Sequence, residues 1–403
     1  MSGLITPMKA IPTPRRFSLF EYGFRPFFLL AGLYALFAVP LWLWVWSRGI
    51  SPLRALPPML WHGHEMLYGF VVAAIAGFLL TAVPSWTGAR GFGGRPLRVL
   101  VAAWLAGRLA FLAGAFLPLW VVAVIELSFL PILAAMLAPP LLRGGNRNTP
   151  LLAVIAVLWL LDAAFIAAMK SSDALLAQRA LRLAIDFVLI LVTVIGGRIV
   201  PSFSGNALRR RGEEVTIVVR AWLERLVIGL MIAIAIVDVI RPVSGLSGSL
   251  ALAAALAHAL RLSGWRGVRM RGEPILWVLH LAYAWLPVGF ALKALELLTQ
   301  AQWAMHWPHA FTMGVFGTMI LAVMTRASLG HTGRTLVVHR SIALAYLLLS
   351  VGAFLRVFGP AISAFDYQWI VSAAGGLWIL AFLIYTAVYA PILIGPRADG
   401  KPG

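Results

Sequence analysis

Histidines stand at the mouths and inside the apolar runs of this 403-residue chain, and imidazole is the commonest metal ligand among side chains. Trp61-His62-Gly63-His64-Glu65 opens an apolar run from Met66 to Val83, His280 sits inside a second run, and His309 begins a third. An ionisable group at membrane depth costs roughly 2.5–3.5 kcal/mol on insertion scales and needs a partner, which makes it a functional-site candidate. The chemistry these residues suggest is a metal or haem held by histidine. On a regular helix His62 and His64 point about 200° apart, while His62 and Glu65 share a face. Either a non-helical start at Gly63 brings both imidazoles together, or each serves a different site, with His309 as the partner on that side. The plainer alternative makes His62 an interfacial side chain beside Trp61 and ties His64 to a neighbouring helix.

His280 lies in Leu276-Trp277-Val278-Leu279-His280-Leu281-Ala282-Tyr283-Ala284-Trp285. An imidazole among aromatic residues suits a haem axial ligand, with Trp277, Tyr283 or Trp285 along the macrocycle; a buried histidine bonded to a carbonyl or to Tyr283 is the alternative. A third cluster, Met324-Thr325-Arg326-Ala327-Ser328-Leu329-Gly330-His331-Thr332-Gly333-Arg334, offers two arginines and a histidine for haem propionates or another anion. Arg326 and Arg334 are equally what a basic helix end contains. Arg198, after Gly196-Gly197 and before Pro201, is placed in the same way.

These residues need elements to carry them. Hydrophobic residues make up 61% of the chain and charged ones 12%, against about 45–50% and about 25% in soluble domains, so the chain reads as an integral membrane protein. We divide it into twelve apolar spans: 25–46, 60–83, 97–114, 118–142, 150–169, 180–201, 217–240, 246–263, 274–298, 306–326, 338–358 and 367–393. Each is near the ~20 residues a helix needs to cross a bilayer. Barrel strands would alternate polar and apolar over ~10 residues; these runs are continuous, so the expected fold class is all-α, a polytopic bundle of about twelve transmembrane helices. It reads as a single transmembrane domain over 1–403, with conceivable halves 1–205 and 206–403 meeting at an Arg-rich connection. The longest connections, such as 202–216, span about fifteen residues. Gly91 to Pro96 and Gly144 to Asn148 read as turns, and the first 24 residues do not read as a cleavable signal peptide.

The net charge of +19 follows the loops. Lys9, Arg15, Arg16, Arg25, Arg90, Arg95, Arg98, Arg143, Arg147 and Arg209 to Arg211 fall on one side with the larger share of the basic residues; Arg48, Arg54, Lys170, Arg179, Arg182 and Arg241 fall on the other. That is the positive-inside pattern, placing both N- and C-termini in the cytoplasm and pointing to anionic lipid rather than nucleic acid as the partner. On this topology His62, His64, His306 and His309 lie near the outer surface, and His258, His280 and His331 in the inner half. The two groups cannot share one metal, whose bonds to imidazole are about 2.0–2.1 Å. The absence of cysteine excludes disulfides, iron–sulfur clusters and thiolate-bound metal. Glu126, Asp162, Asp186 and Glu296 lie within spans, with Asp238 near an end; Arg108, Arg356 and Lys293 are candidate counter-charges, and Lys293 with Glu296 has i,i+3 spacing.

Phe24-Arg25-Pro26-Phe27-Phe28, Trp61-His62-Gly63-His64-Glu65-Met66 and Gly77-Phe78-Leu79-Leu80-Thr81-Ala82-Val83-Pro84 resemble the opening of NnrS proteins. Gly196-Gly197-Arg198 with Pro201, Leu279 to Trp285 and Arg326 to Arg334 continue the resemblance in order over almost the full length. It implies a twelve-helix protein of the bacterial inner membrane that contains haem b and copper and takes part in nitric oxide metabolism and resistance to nitrosative stress. The resemblance implies protection by binding nitric oxide or by redox chemistry, the latter making the chain a haem-dependent oxidoreductase. The ligands expected are His62, His64, Glu65 and His309 on the outer side and His280 and His331 on the inner side, with Arg198, Arg326, Arg334 and Tyr283 about the cofactor. The chain departs from the family pattern at Glu126-Leu127-Ser128-Phe129, where an aspartate is expected, and at Asp162-Ala163-Ala164-Phe165, where relatives place Asn and His. A terminal-oxidase reading lacks the cross-linked His–Tyr pattern. A twelve-helix secondary transporter, with a proton or ion path through Glu126, Asp162, Asp186 and Arg108, is the alternative function.

Overall fold

The structure, a computed structural model, describes residues 17–49, 52, 56–143, 146–362 and 366–401. Lys9, Arg15, Arg16, Arg54 and the Gly144-Gly145 part of the expected turn lie outside these. The fold is all-α, 81% helical and without strands among the described residues. Its helical rods are α1 (Phe24–Arg48), α2 (Pro58–Thr87), α3 (Gly94–Leu112), α4 (Leu119–Leu142), α5 (Pro150–Ser171), α6 (Ala174–Arg210), α7 (Ala221–Ile240), α8 (Gly245–Ser263), α9 (Pro274–Thr299), α10 (Gln302–His331), α11 (Arg340–Ala361) and α12 (Tyr367–Ile394). Among the described residues, ten are long and apolar enough to cross a membrane; the chain is a multi-pass membrane protein. The exceptions are α3 and α7, which are long enough but carry Arg95, Arg98 and Arg108, and Glu224, Arg225 and Asp238. Outward-pointing apolar side chains, among them Phe37, Leu109, Val124, Ile236 and Leu256, give the bundle a surface that lipid rather than water satisfies.

Local chemistry sets the ends. Proline opens α2, α5 and α9, at the one position where a missing N–H is harmless, and the Asp173 side chain caps α6 by accepting from the Leu176 amide at 2.9 Å. The expected connection at 202–216 is shorter, since α6 runs on to Arg210. Val200, Pro201, Ser204, Ala207 and Leu208 are all buried, a helical spacing that tertiary packing sustains. A break at Leu127-Ser128 divides α4, and the indole of Trp159 donates to the freed Leu127 carbonyl at 2.9 Å.

The first and last rods close the bundle on each other. Besides α2, α1 packs along α12, Trp378 donates to the Ala35 carbonyl at 3.2 Å, and the buried Arg25 guanidinium donates to the carbonyls of Leu393 (3.0 Å) and Gly395 (2.7 Å). Arg25 therefore sits inside α1 against the carbonyl end of α12, where a cation is favoured, rather than in a loop. The two ends of the described chain thus meet at one end of the bundle.

Two rods depart from α geometry. Glu65–Val71 in α2 and Ala310–Gly317 in α10 are π-helical, a wide i→i+5 turn found frequently at functional sites. Each begins directly after a histidine of the opening motifs, His64 and His309.

Candidate functional site

The two π segments wall one cavity. It has a volume of about 290 Å³ and lies between α1, α2, α6, α10, α11 and α12. His62 and His309 both line it, and neither imidazole has a hydrogen-bond partner among the described residues. The His62 ring stacks on Trp42, centroids 4.4 Å apart and planes within 15°, so its plane is fixed while its nitrogens stay free. Gly63 lets α6 approach, since a Cβ there would lie 3.0 Å from Leu181. Most of the wall is apolar or thioether, including Met66, Leu67, Phe70 and Met313, while Arg182 and Arg356 bring positive charge. His306 is held apart: it accepts from Arg356 at 3.3 Å and stacks on Tyr367, whose hydroxyl accepts from Arg356 at 3.0 Å.

His64 does not enter this cavity. Its ring is fully buried, stacked 3.9 Å from Phe111, with Nδ1 3.0 Å from Glu65 Oε1 and Nε2 2.9 Å from Asp162 Oδ1. Glu65 also accepts from Arg108 at 2.6 Å and from the Tyr34 hydroxyl, and Arg108 pairs with Glu126. So His62 and His64 go to separate places, and His64 is tied to a neighbouring helix, α5, as in the plainer alternative. Glu65 sides with His64 and Arg108 rather than with His62. Ligand atoms of His64, Glu126 and Asp162 lie within 4.8 Å of one another, close enough to hold a metal ion. Both nitrogens of His64 already face carboxylates, however, and the Arg108 guanidinium supplies the positive charge. The set fits an internal ion network better than a metal.

At the opposite end His280 and His331 part company. Ser204 Oγ donates to the Val200 carbonyl and lies 2.8 Å from His280 Nε2, so Nε2–H donates to Ser204 and Nδ1 is the lone-pair nitrogen. Nδ1 has no partner, but Gly267 packs so close that a Cβ there would lie 2.7 Å from it. That leaves no space for a macrocycle at this nitrogen. The Tyr283 hydroxyl is engaged within the bundle: it accepts from Arg261 at 2.7 Å and bonds His258 Nδ1 at 2.8 Å. His331 lines a second cavity, of about 230 Å³, with Arg326. Arg198 donates to Asn148 at 2.8 Å, and Arg334 reaches the Thr332 carbonyl at 3.4 Å.

Sequence reasoning missed the buried Arg261, which donates to Glu224 Oε1 at 2.8 Å and to the Thr193 carbonyl at 2.9 Å. Its signal was Gly197, where any Cβ would overlap the Arg261 guanidinium. The expected Lys293–Glu296 pair is replaced as well: Lys293 pairs with Asp238 on α7, and Glu296 accepts from the Trp307 indole at 2.5 Å. Side chains on adjacent helices offered shorter, buried partners than the helix surface did.

The sequence model of the NnrS protein family matches residues 18–397, nearly the whole chain. No curated protein matches it.

Proposed function

The chain belongs to the NnrS family, whose members have a role in the nitric oxide response, and from that premise we propose that its α1–α2 end holds a haem or copper centre between His62 and His309. The observation that carries this is the pair of imidazoles, from α2 and α10, without hydrogen-bond partners and facing one largely apolar cavity. A bound haem iron or copper ion would supply a site for nitric oxide and a means of transferring an electron. Trp42 holds the His62 ring in one plane, which fixes the direction of its free nitrogen. The π turn after His309 sets the aim of the second ring. Arg182 and Arg356 offer donors to anionic groups such as haem propionates, and the thioethers of Met59, Met66 and Met313 suit copper better than a hard cation. Leu67 and Phe70 exclude water from the ligand side.

On this reading the protein protects against nitrosative stress by binding or redox chemistry of nitric oxide at that centre, as a protein of the bacterial inner membrane with cytoplasmic N- and C-termini. The bias of the arginines supports the orientation. Of the buried carboxylates that a transporter would use, Glu126 is tied to Arg108 and Asp162 to His64, which counts against that alternative. The test is the absorbance spectrum of detergent-purified protein, reduced, with and without nitric oxide, alongside iron and copper analysis. His62→Ala and His309→Ala should each lose the Soret band or the copper, and His258→Ala should keep both. Metal-free wild-type protein after expression with ample haem and copper would overturn the proposal.

A further inference from the structure

The second cavity lies between α1, α2, α6 and α10, at the end where the two chain termini meet, and the metal proposal does not use it. Phe28, Phe78, Ile199, Phe203 and Val323 make its walls apolar, and among the described residues Arg326 is the only charged one lining it. The Arg326 guanidinium stacks 3.9 Å from the Phe203 ring centroid and has no carboxylate partner among the described residues. Glu273, the acid whose field reaches it, is paired with Arg211 and lies 3.8 Å from Arg210. His331, five residues on in the same rod, lines the cavity with an imidazole that stacks on Tyr22, lies tilted against Phe24 and has no hydrogen-bond partner among the described residues.

A cation in an apolar cavity with no counter-charge is unfavourable. Two donors on one wall facing aromatic surface describe a receptor for an anion with an apolar body. We infer that this cavity binds an acidic phospholipid, its phosphate on Arg326 and His331 and an acyl chain along Phe28, Phe78 and Phe203. A guanidinium fork matches phosphate oxygens in pairs. The positive charge of Arg210 near Arg326 favours a lipid with net negative charge over a zwitterion, as basic pockets between membrane helices do. This inference stands apart from the metal centre, so either can fail alone.

The test titrates delipidated full-length protein in detergent with dioleoyl phosphatidylglycerol, dioleoyl phosphatidylcholine or oleate, and counts bound lipid by native mass spectrometry. Phosphatidylglycerol should saturate one tight site, about tenfold or more tighter than phosphatidylcholine, a factor in line with hydrogen bonds to charged groups. Arg326→Gln should remove that preference, and so should Ala82→Phe, which keeps the arginine but fills the cavity from α2. His62→Ala should leave it unchanged. Equal binding of the two phospholipids, or full selectivity in both cavity variants, overturns the inference. So does oleate binding as tightly as phosphatidylglycerol, or loss of the Soret band in Arg326→Gln without loss of lipid selectivity, which would put a carboxylate in the site instead. The wild-type comparison decides the matter even if a variant does not fold.

Discussion

Replacing Arg108 with Met tests whether the network around His64 is an internal ion cluster. Arg108 is 7% exposed and, among the described residues, is the only donor to Glu126 Oε1, while Glu126 Oε2 has no hydrogen-bond partner among them. Glu65 would keep Tyr34 and His64, so the variant strands chiefly one buried carboxylate. Breaking a buried ion pair by removing one partner costs about 3–5 kcal/mol. At roughly 2 °C per kcal/mol for a chain of this size, Arg108→Met should melt about 6–10 °C lower, read as the folded fraction after heating in detergent by size-exclusion chromatography. Adding Glu126→Gln removes the stranded charge and should recover more than half of that loss. A single variant within about 2 °C of wild type, or a double variant no better than the single, would refute the reasoning. Packing loss alone gives no rescue by a change at Glu126.

Lys293→Met should be destabilised by a similar ~3–5 kcal/mol, through Asp238, and Lys293→Met with Asp238→Asn should recover most of it; Glu296→Gln should change the melting point far less. Gly197→Ala drives a methyl group into the Arg261 guanidinium and should cost about 1–3 kcal/mol as overpacking. Gly205→Ala, whose nearest neighbours lie 3.6 Å away, should be neutral or stabilising by about 0.5–1 kcal/mol in the same melts. Trp42→Ala frees the His62 ring, and purified protein should keep its metal while its absorbance bands shift or broaden; loss of all metal would make Trp42 more than a ring-positioning residue.

The sequence made the rods legible and their contacts much less so. Every apolar span falls within a helical rod to within about four residues at its ends, because continuous hydrophobicity over some twenty residues needs no partner to be recognised. The split between His62 and His64 was legible too, as an angle on one helix. What the pattern could not reveal was who stands opposite. Asp162 meets His64 across 98 residues of chain and Asp238 meets Lys293 across 55, and helical periodicity fixes a side chain's direction only relative to its own axis. The π turns were illegible for a related reason: Glu65 to Val71 and Ala310 to Gly317 contain ordinary helix-compatible residues, and the extra residue per turn is imposed by packing.

The histidines divide by what already occupies their nitrogens. In His64 both nitrogens meet carboxylates, and in His258 and His280 one nitrogen is bonded while the other is buried without a partner. His62, His309 and His331 line cavities and have no hydrogen-bond partner among the described residues. A buried imidazole used for structure satisfies its nitrogens from neighbouring groups, because an unmade hydrogen bond costs about 1–3 kcal/mol. One kept for a ligand must leave a nitrogen free and give it space. His258 and His280 have the free nitrogen without the space, and His331 has both beside an uncompensated arginine. Of the two cavities described, only the one at the α1–α2 end is faced by two such rings from separate helices. That coincidence, rather than the number of histidines, is why we propose the metal centre between α2 and α10.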